Sequence, residues 1–507
     1  MFSKVKACVL QGIEGCLVDV ETDLSSGLPS FNIVGLADIS IKESKERVRA
    51  SIKNSEYKFP VSRITVNLAP ANLKKEGSQM DLPIAVGILS ASKVIKGKIE
   101  DICFIGELSL DGKITKIDGA LPLVISLRNN NIKKVVIPEE NKEECGVIDN
   151  IDIIPIKSLN ELVEYLNSEI EILPYKSIYE DYISDFKYTE DFSEIKGQAA
   201  LKRAVEISAA GGHNLLMLGP PGSGKTMIAR RIPTILPDLA FEESLEVTKI
   251  YSIYGQINEI GLIKKRPFRS PHHTISRAAL AGGGKSSKPG EVSLSHYGVL
   301  FLDEMPEFPK SVLEVLRQPM EDGMISVARA NNNYCYPARF MLIGSMNPCP
   351  CGFLGDPKHE CSCNQGQINR YLSKISGPLL DRMDIQIEVS PVYYDDLNST
   401  TKEESSMDIK ARVLKARKIQ LERYKGLDVY TNSQLSPKYL EKYCKIDRGS
   451  HELLKLAFDN LGLSARAYSK ILKVARTIAD LVGSESISQM HIAEAIQYRS
   501  LDRKYWG

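Results

Sequence analysis

No apolar run in the sequence reaches the roughly eighteen residues that a membrane-crossing helix needs, so no membrane span is expected. The opening stretch, Met1-Phe-Ser-Lys-Val-Lys-Ala-Cys-Val-Leu10, lacks the long apolar segment of a signal peptide. Charge of one sign is missing too. With 65 Lys and Arg against 64 Asp and Glu, the net charge is +1. A protein basic throughout is thereby excluded, and any nucleic acid must be met by local basic patches. Cysteine is sparse outside one cluster, ten in 507 residues. That argues against a disulfide framework and for reduced thiols in the cytosol. No internal repeat of solenoid period is found. What remains is an ordinary globular composition, 43% hydrophobic and 25% charged. It can build large cores, and the length suggests about three domains.

The most informative segment is Gly219-Pro220-Pro221-Gly222-Ser223-Gly224-Lys225-Thr226, an unbroken G-x-x-x-x-G-K-[ST] motif. The apolar run Asn214–Leu218 precedes it and the helix-compatible Met227–Arg231 follows, the strand–loop–helix context that a phosphate-binding loop requires. Glycines let backbone N–H groups converge on phosphate oxygens, and the helix start adds positive potential. Lys225 is expected to reach the β- and γ-phosphates of a nucleoside triphosphate, and the Thr226 hydroxyl to ligate Mg²⁺.

Val299–Leu302 is a continuous apolar strand that ends in Asp303 and Glu304. Such strands are buried on both faces of parallel sheets, and ligands sit beyond their carboxyl ends. Asp303 is therefore expected to hold Mg²⁺, directly or through water, and Glu304 to polarise the attacking water. A second strand, Arg339–Met346, ends in Asn347, which could touch the γ-phosphate or serve only as a turn residue. Arg382 lies between Asp381 and Asp384, as a surface salt bridge or as an arginine finger supplied to a neighbouring subunit. Arg466 falls near the start of a C-terminal helix. A cation is slightly unfavourable there, which leaves it room for a ligand-facing role.

Residues 1–170 read as an α/β domain, with apolar runs at Gly15–Val20, Arg63–Leu68 and Lys134–Pro138 and helical stretches at Ile41–Asn54 and Leu82–Ser92. Residues 171–190 and 391–406 read as linkers around a nucleotide domain at 191–390. From Met407 to residue 507 helical patterns dominate, with three/four apolar spacing in Ala467–Leu481. Ser488 starts a last helix, with His491 where a capping box would carry Glu or Gln.

Cys349, Cys351, Cys361 and Cys363 fall within fifteen residues, with His359 between the pairs. Four thiolates can close a tetrahedral Zn²⁺ site, although the one-residue gaps are tighter than the common spacing. Zinc, a disulfide and metal-free thiols all stay open at this point. Lys264-Lys-Arg-Pro-Phe-Arg-Ser-Pro-His-His273 groups four cations, two histidines and Phe268. Such a segment can meet backbone phosphates and stack a base, or be a solvated loop. Lys285 and Lys288 could extend it. Adjacent His272 and His273 do not easily converge on one metal ion from a strand.

Phosphate loop, Asp-Glu strand, strand-end Asn, Leu-Leu-Asp-Arg and a helical lid follow the order of AAA+ ATPases. Arg266–Thr274, Gly282-Gly-Gly, Pro289–Val299 and Asn347-Pro-Cys-Pro-Cys-Gly352 resemble, more narrowly, the magnesium-chelatase-like YifB/ComM family. The resemblance implies a ring-forming, hexameric ATPase with an AAA+ P-loop α/β domain, a parallel sheet and a C-terminal helical lid. It implies ATP and Mg²⁺ as cofactors, Asn347 as sensor 1, Arg382 as the finger and Arg466 as sensor 2. DNA, single-stranded or branched, is the implied partner, since members of the ComM type are associated with branch migration in natural transformation. A chelatase-type remodeller of a protein partner and a slow nucleotide-gated scaffold are the rival readings. Lys75–Ala85 and Gly106–Gly119 resemble the Lon protease fold, of the ribosomal S5 domain 2-like kind. Gln79 and Leu121 stand where Lon carries its nucleophilic Ser and its Lys, so no proteolysis is expected. Ser78 is one residue away, but no Lys replaces Leu121.

Overall fold

The computed structural model describes residues 1–177, 188–257, 261–284, 288–328, 333–356, 359–391, 403–461, 463–501 and 505. The expected linkers 171–190 and 391–406 thus lie in large part outside the described residues, as does Lys285. The chain divides into two compact units. Met1–Phe186 forms the first together with Phe241–Ile263 and Ala328–Cys335, and the other residues form the second.

The first unit is built on a seven-stranded mixed sheet. Its strands are β1 (Phe2–Gln11), β2 (Glu14–Ser25), β3 (Ser30–Val34), β4 (Arg63–Ala69), β5 (Ile102–Phe104), β6 (Lys134–Pro138) and β7 (Asp152–Ile156). They lie in the order β3-β4-β2-β1-β5-β6-β7. The β1/β2 and β2/β4 pairs are antiparallel, and the other neighbours run parallel. Of the helices α1 (Ile39–Asn54), α2 (Asp81–Ala91) and α3 (Ala120–Asn129), α2 and α3 pack on the sheet and α1 packs against α2. Within α2 all but one residue are buried, which suits an apolar sequence of eleven residues. At its first turn the buried Asp81 pairs with Arg47 at 2.6 Å. Gln79 closes a local turn, its amide donating to the Glu76 carbonyl at 2.8 Å, and Leu121 is fully buried in core. The Ser78 hydroxyl donates to Glu107.

Two segments, Phe241–Ile263 and Ala328–Cys335, fall outside the contiguous nucleotide domain expected at 191–390. Helix α4 (Phe241–Tyr254) and residues up to Ile263 belong to the first unit. Leu262 and Leu245 join the core around α3. The Gly119 N–H donates to the Ser252 carbonyl at 2.9 Å, and the Ser252 hydroxyl to Glu144 at 2.7 Å. Sequence pattern reports a helix, whereas burial of its apolar face decides which core receives it.

The second unit holds a five-stranded sheet whose strand pairings are all parallel. Its strands are β8 (Leu215–Leu218), β9 (Phe268–Arg269), β10 (Val299–Leu302), β11 (Met341–Met346) and β12 (Ile385–Glu388), in the order β9-β10-β11-β8-β12. Every residue of β8, β10 and β11 is buried, as continuous apolar strands of a parallel sheet should be. Helix α5 (Ala199–Gly211) leads into β8, and α6 (Lys225–Ile235) leaves it through the glycine-rich loop. The C-terminal helices α8 (Ser406–Arg423), α9 (Arg448–Leu461), α10 (Ala465–Leu481) and α11 (Gln489–Gln497) share one apolar core with the sheet, through Val413, Leu454, Ile471 and Ile492. A further helix, α7 (Gln365–Leu372), precedes β12. At the start of α11, the Ser488 N–H donates to His491 Nδ1 at 3.1 Å, so the histidine takes the part usually played by Glu or Gln.

Candidate functional site

The site lies at the carboxyl ends of β8, β10 and β11, where three segments remote in sequence converge. The loop after β8 needs glycine at two points. Gly222 and Gly224 have φ of 76° and 83°, a region that L side chains rarely adopt. Gly219 is required for another reason, because a Cβ there would lie 2.5 Å from the Val389 carbonyl oxygen. Lys225 opens α6 and folds back over the loop. Its ammonium donates to the carbonyls of Gly219 at 2.7 Å and Pro220 at 2.8 Å, and lies 3.3 Å from Ser223 Oγ and 3.4 Å from Asn347 Oδ1. Burial pushes its pKa down to about 8, against the opposing pull of Asp303 and Glu304.

The Thr226 hydroxyl donates to Asp303 Oδ2 at 2.7 Å, across the gap between α6 and the end of β10. Ser345, in β11, donates to the other Asp303 oxygen. The same hydroxyl accepts the Glu304 N–H at 3.2 Å, and Asp303 Oδ1 also faces that N–H at 3.1 Å. Those bonds hold Glu304 at φ 50°, a left-handed conformation uncommon for a residue with a side chain. Sequence reading named Thr226, Asp303, Glu304, Lys225 and Asn347 but missed Ser345. The available signal was a hydroxyl inside an otherwise apolar strand, Met341-Leu-Ile-Gly-Ser-Met346. It also missed Gln198, whose amide donates to the Ser390 carbonyl at 2.7 Å and to the Ser223 carbonyl at 3.4 Å.

Arg382 and Arg466 join a different network. Arg382 is largely buried; it donates to the Pro378 carbonyl at 2.6 Å and pairs with Glu321, while its Nε is buried without a partner among the described residues. Arg466, on the first turn of α10, lies exposed and donates to Asp381 at 3.2 Å. Four residues on, Lys470 pairs with Asp384 at 2.7 Å, and the His213 ring faces the same carboxylate at 3.6 Å. Burial alone would raise Asp384, but Lys470 and His213 outweigh it and hold the carboxyl well below its usual range. Helix α10 is thus tied at two points to the segment that carries Arg382.

The basic segment is partly consumed by the fold. Arg266 donates to the carbonyls of Pro237 at 2.5 Å and Tyr297 at 2.7 Å. Arg269 forms a two-point ion pair with Glu291 at 2.6 and 2.7 Å. Phe268 packs in β9 against Phe301, ring centroids 6.1 Å apart. These three side chains hold structure rather than project from it. His272 and Arg277 remain exposed.

The four cysteines come together after β11, with their sulfurs all within 4.8 Å of one another, a donor set compatible with a metal ion. Among the described residues no helix is long and apolar enough to cross a membrane.

Sequence comparison agrees with this arrangement. Residues 191–397 match the family described as magnesium chelatase, subunit ChlI. Residues 20–141 match a second description of that subunit, and residues 403–499 its C-terminal part. Fold and site together define a protein of the magnesium-chelatase, AAA+ class. Competence protein ComM of Haemophilus influenzae is 42% identical over 496 residues, covering 97% of this chain and 96% of the relative. YifB of Escherichia coli is 40% identical over 494 residues, with the same coverage. The chain belongs to the magnesium-chelatase-like YifB/ComM family. Lon protease 2 of Bacillus subtilis is 27% identical over 168 residues, 30% of each chain.

Proposed function

We propose that this protein hydrolyses ATP with Mg²⁺ and uses the cycle to drive a ring of its own copies along DNA. The observation that carries the ATPase reading is the Thr226–Asp303 contact of 2.7 Å at the mouth of the glycine-rich loop. A hydroxyl and a carboxylate so placed would hold Mg²⁺ between them, and the ion would neutralise charge on the β- and γ-phosphates. Lys225 would leave its carbonyls for phosphate oxygens. Glu304 would orient water for in-line attack, and Asn347 would sense the γ-phosphate. Arg382 would complete the site of a neighbouring subunit, and Arg466 would read the nucleotide from α10. DNA as the track rests on relatedness to a protein named for competence. With Arg266, Phe268 and Arg269 held in the fold, strand contact falls to the exposed His272–Arg277 segment. We assign the protein to the cytoplasm.

ATP hydrolysis measured without DNA and with single strands, duplex and a branched junction tests this reading, with Glu304→Gln as the blank. Stimulation greatest on the junction supports a branch-migration motor. Turnover indifferent to every DNA favours the second reading, a chelatase-type ATPase that remodels a protein partner. That reading draws on the matches to ChlI in three segments of the chain.

Two predictions arise from the geometry. Ser345→Ala removes the hydroxyl that orients both Asp303 and the Glu304 backbone. Turnover should fall about 10–100-fold while nucleotide affinity stays within about twofold, measured by steady-state kinetics and fluorescent-nucleotide binding. Unchanged turnover would remove Ser345 from the machinery. The second concerns pH. A triphosphate binds the charged form of Lys225, whose pKa in the nucleotide-free protein is about 8. Affinity should be flat below that value and decline above it, by at most about tenfold per pH unit. Lys225→Arg, which stays charged, should flatten the decline in a binding titration from about pH 6.5 to 9.

A further inference from the structure

Cys349 and Cys351 follow the end of β11 directly, and Cys363 stands immediately before Asn364, the residue that caps α7. The cluster therefore joins the strand that ends at Asn347 to the next helix. Cys349 Sγ lies 3.3 Å from Cys351 Sγ and 3.6 Å from Cys361 Sγ, and Cys351 and Cys361 are also 3.6 Å apart. Thiolates bound to one zinc ion at about 2.3 Å stand about 3.8 Å from each other at the corners of a tetrahedron. The sulfurs are thus gathered almost to the dimensions of a single-ion site. His359 is not needed as a ligand. Its Nδ1 faces Asp356 at 3.4 Å, and its ring lies against Phe353 with centroids 4.8 Å apart.

The turn between the cysteine pairs touches the phosphate loop. Gly352 has φ 85°, and a Cβ built on it would lie 2.6 Å from Pro221 Cδ and 3.9 Å from Asn347 Cγ. Its N–H donates to the Cys349 carbonyl at 3.0 Å, which fixes the turn to the first ligand. From the far side, the Asn364 cap on α7 is closed by reciprocal bonds with Gln367 at 2.9 Å.

We propose that Cys349, Cys351, Cys361 and Cys363 bind one zinc ion as four thiolates, and that this ion fixes the turn at Gly352 against Pro221 so that nucleotide affinity depends on the metal. The second half of this proposal rests on the nucleotide reading above; the metal itself does not. Zinc fits better than a multi-iron cluster, whose core would spread the sulfurs wider than one ion does.

The test begins with metal analysis of the purified full chain, expected to give about one zinc per chain. Cobalt replacement should produce the thiolate charge-transfer bands and intense ligand-field bands of a tetrahedral sulfur site. Cys361→Ser and Cys363→Ser should each lose most of the zinc, whereas Cys335→Ser, outside the cluster, should keep it. Metal-depleted protein should bind a fluorescent ATP analogue at least about tenfold more weakly, and Zn²⁺ but not added Mg²⁺ should restore binding. Circular dichroism on the same samples separates this loss from global unfolding. A chain that carries no zinc and gives no cobalt bands overturns the proposal, as does iron in its place or a disulfide found by mass spectrometry. Stoichiometric zinc with normal nucleotide binding after depletion overturns the brace. If zinc-loaded protein binds no nucleotide at all, the nucleotide reading and the brace fail together, while the metal count still decides the site.

Discussion

Arg382→Ala is expected to lower ATP turnover by about three orders of magnitude or more, the scale on which an arginine finger acts. Nucleotide binding in the same subunit should persist, because the Gly219–Thr226 loop and Asp303 make no use of this side chain. In the isolated chain its guanidinium rests on Pro378 and on Glu321, which is itself 56% exposed. A half-solvated carboxylate of that kind contributes little to holding the group, so reaching a neighbour would chiefly cost the Pro378 bond and the burial of the guanidinium. Arg382→Lys should fail nearly as badly, since an ammonium cannot reproduce the planar fork. Subunit mixing gives the sharpest test. In the proposed ring Glu304 would act within its own subunit and Arg382 on the next. An Arg382→Ala chain followed by a Glu304→Gln chain therefore presents one complete site. Random mixtures of the two inactive variants should regain activity at about a quarter of interfaces. No recovery on mixing, with assembly shown by light scattering, would sink the assignment.

Glu304→Gln should be the cleanest inactive variant. Loss of a positioned base costs about 10²–10⁴-fold in turnover, and the amide keeps the shape of the side chain. The backbone N–H bonds to Asp303 and Ser345 are untouched, so the left-handed turn survives. ATP should then bind with near-normal affinity and remain uncleaved, as measured by retention of radiolabelled ATP on the protein after gel filtration. Rapid hydrolysis by this variant would move the base elsewhere. Glu307 is the first alternative, three residues along the chain.

The legible part of this site was the part whose chemistry is local. Eight consecutive residues specify the loop because two positive-φ glycines and a helix start shape the backbone over a few bonds. The apolar strands announced themselves as uninterrupted runs, and Asp303, Glu304 and Asn347 were visible as the polar residues that end them. Ser345 was less legible. A serine inside a strand is common, and its role depends on a partner 42 residues away on a neighbouring strand. The basic segment was misleading for a related reason. Charge reads the same in sequence whether a guanidinium meets solvent or, like that of Arg269, a carboxylate from a following helix.

A phosphate loop, an acidic strand end and a family kinship along nearly the whole chain are legible in the residues alone. Those properties reside in short contiguous motifs and in residue identity. Only the folded chain shows that Thr226 meets Asp303, that helix Phe241–Tyr254 belongs to the first unit's core, and that the four sulfurs converge next to the Gly352 turn that faces Pro221. Each depends on which apolar faces are buried together and on the register of parallel strands. That information is spread over the whole chain, because a parallel sheet joins strands that are never neighbours in sequence.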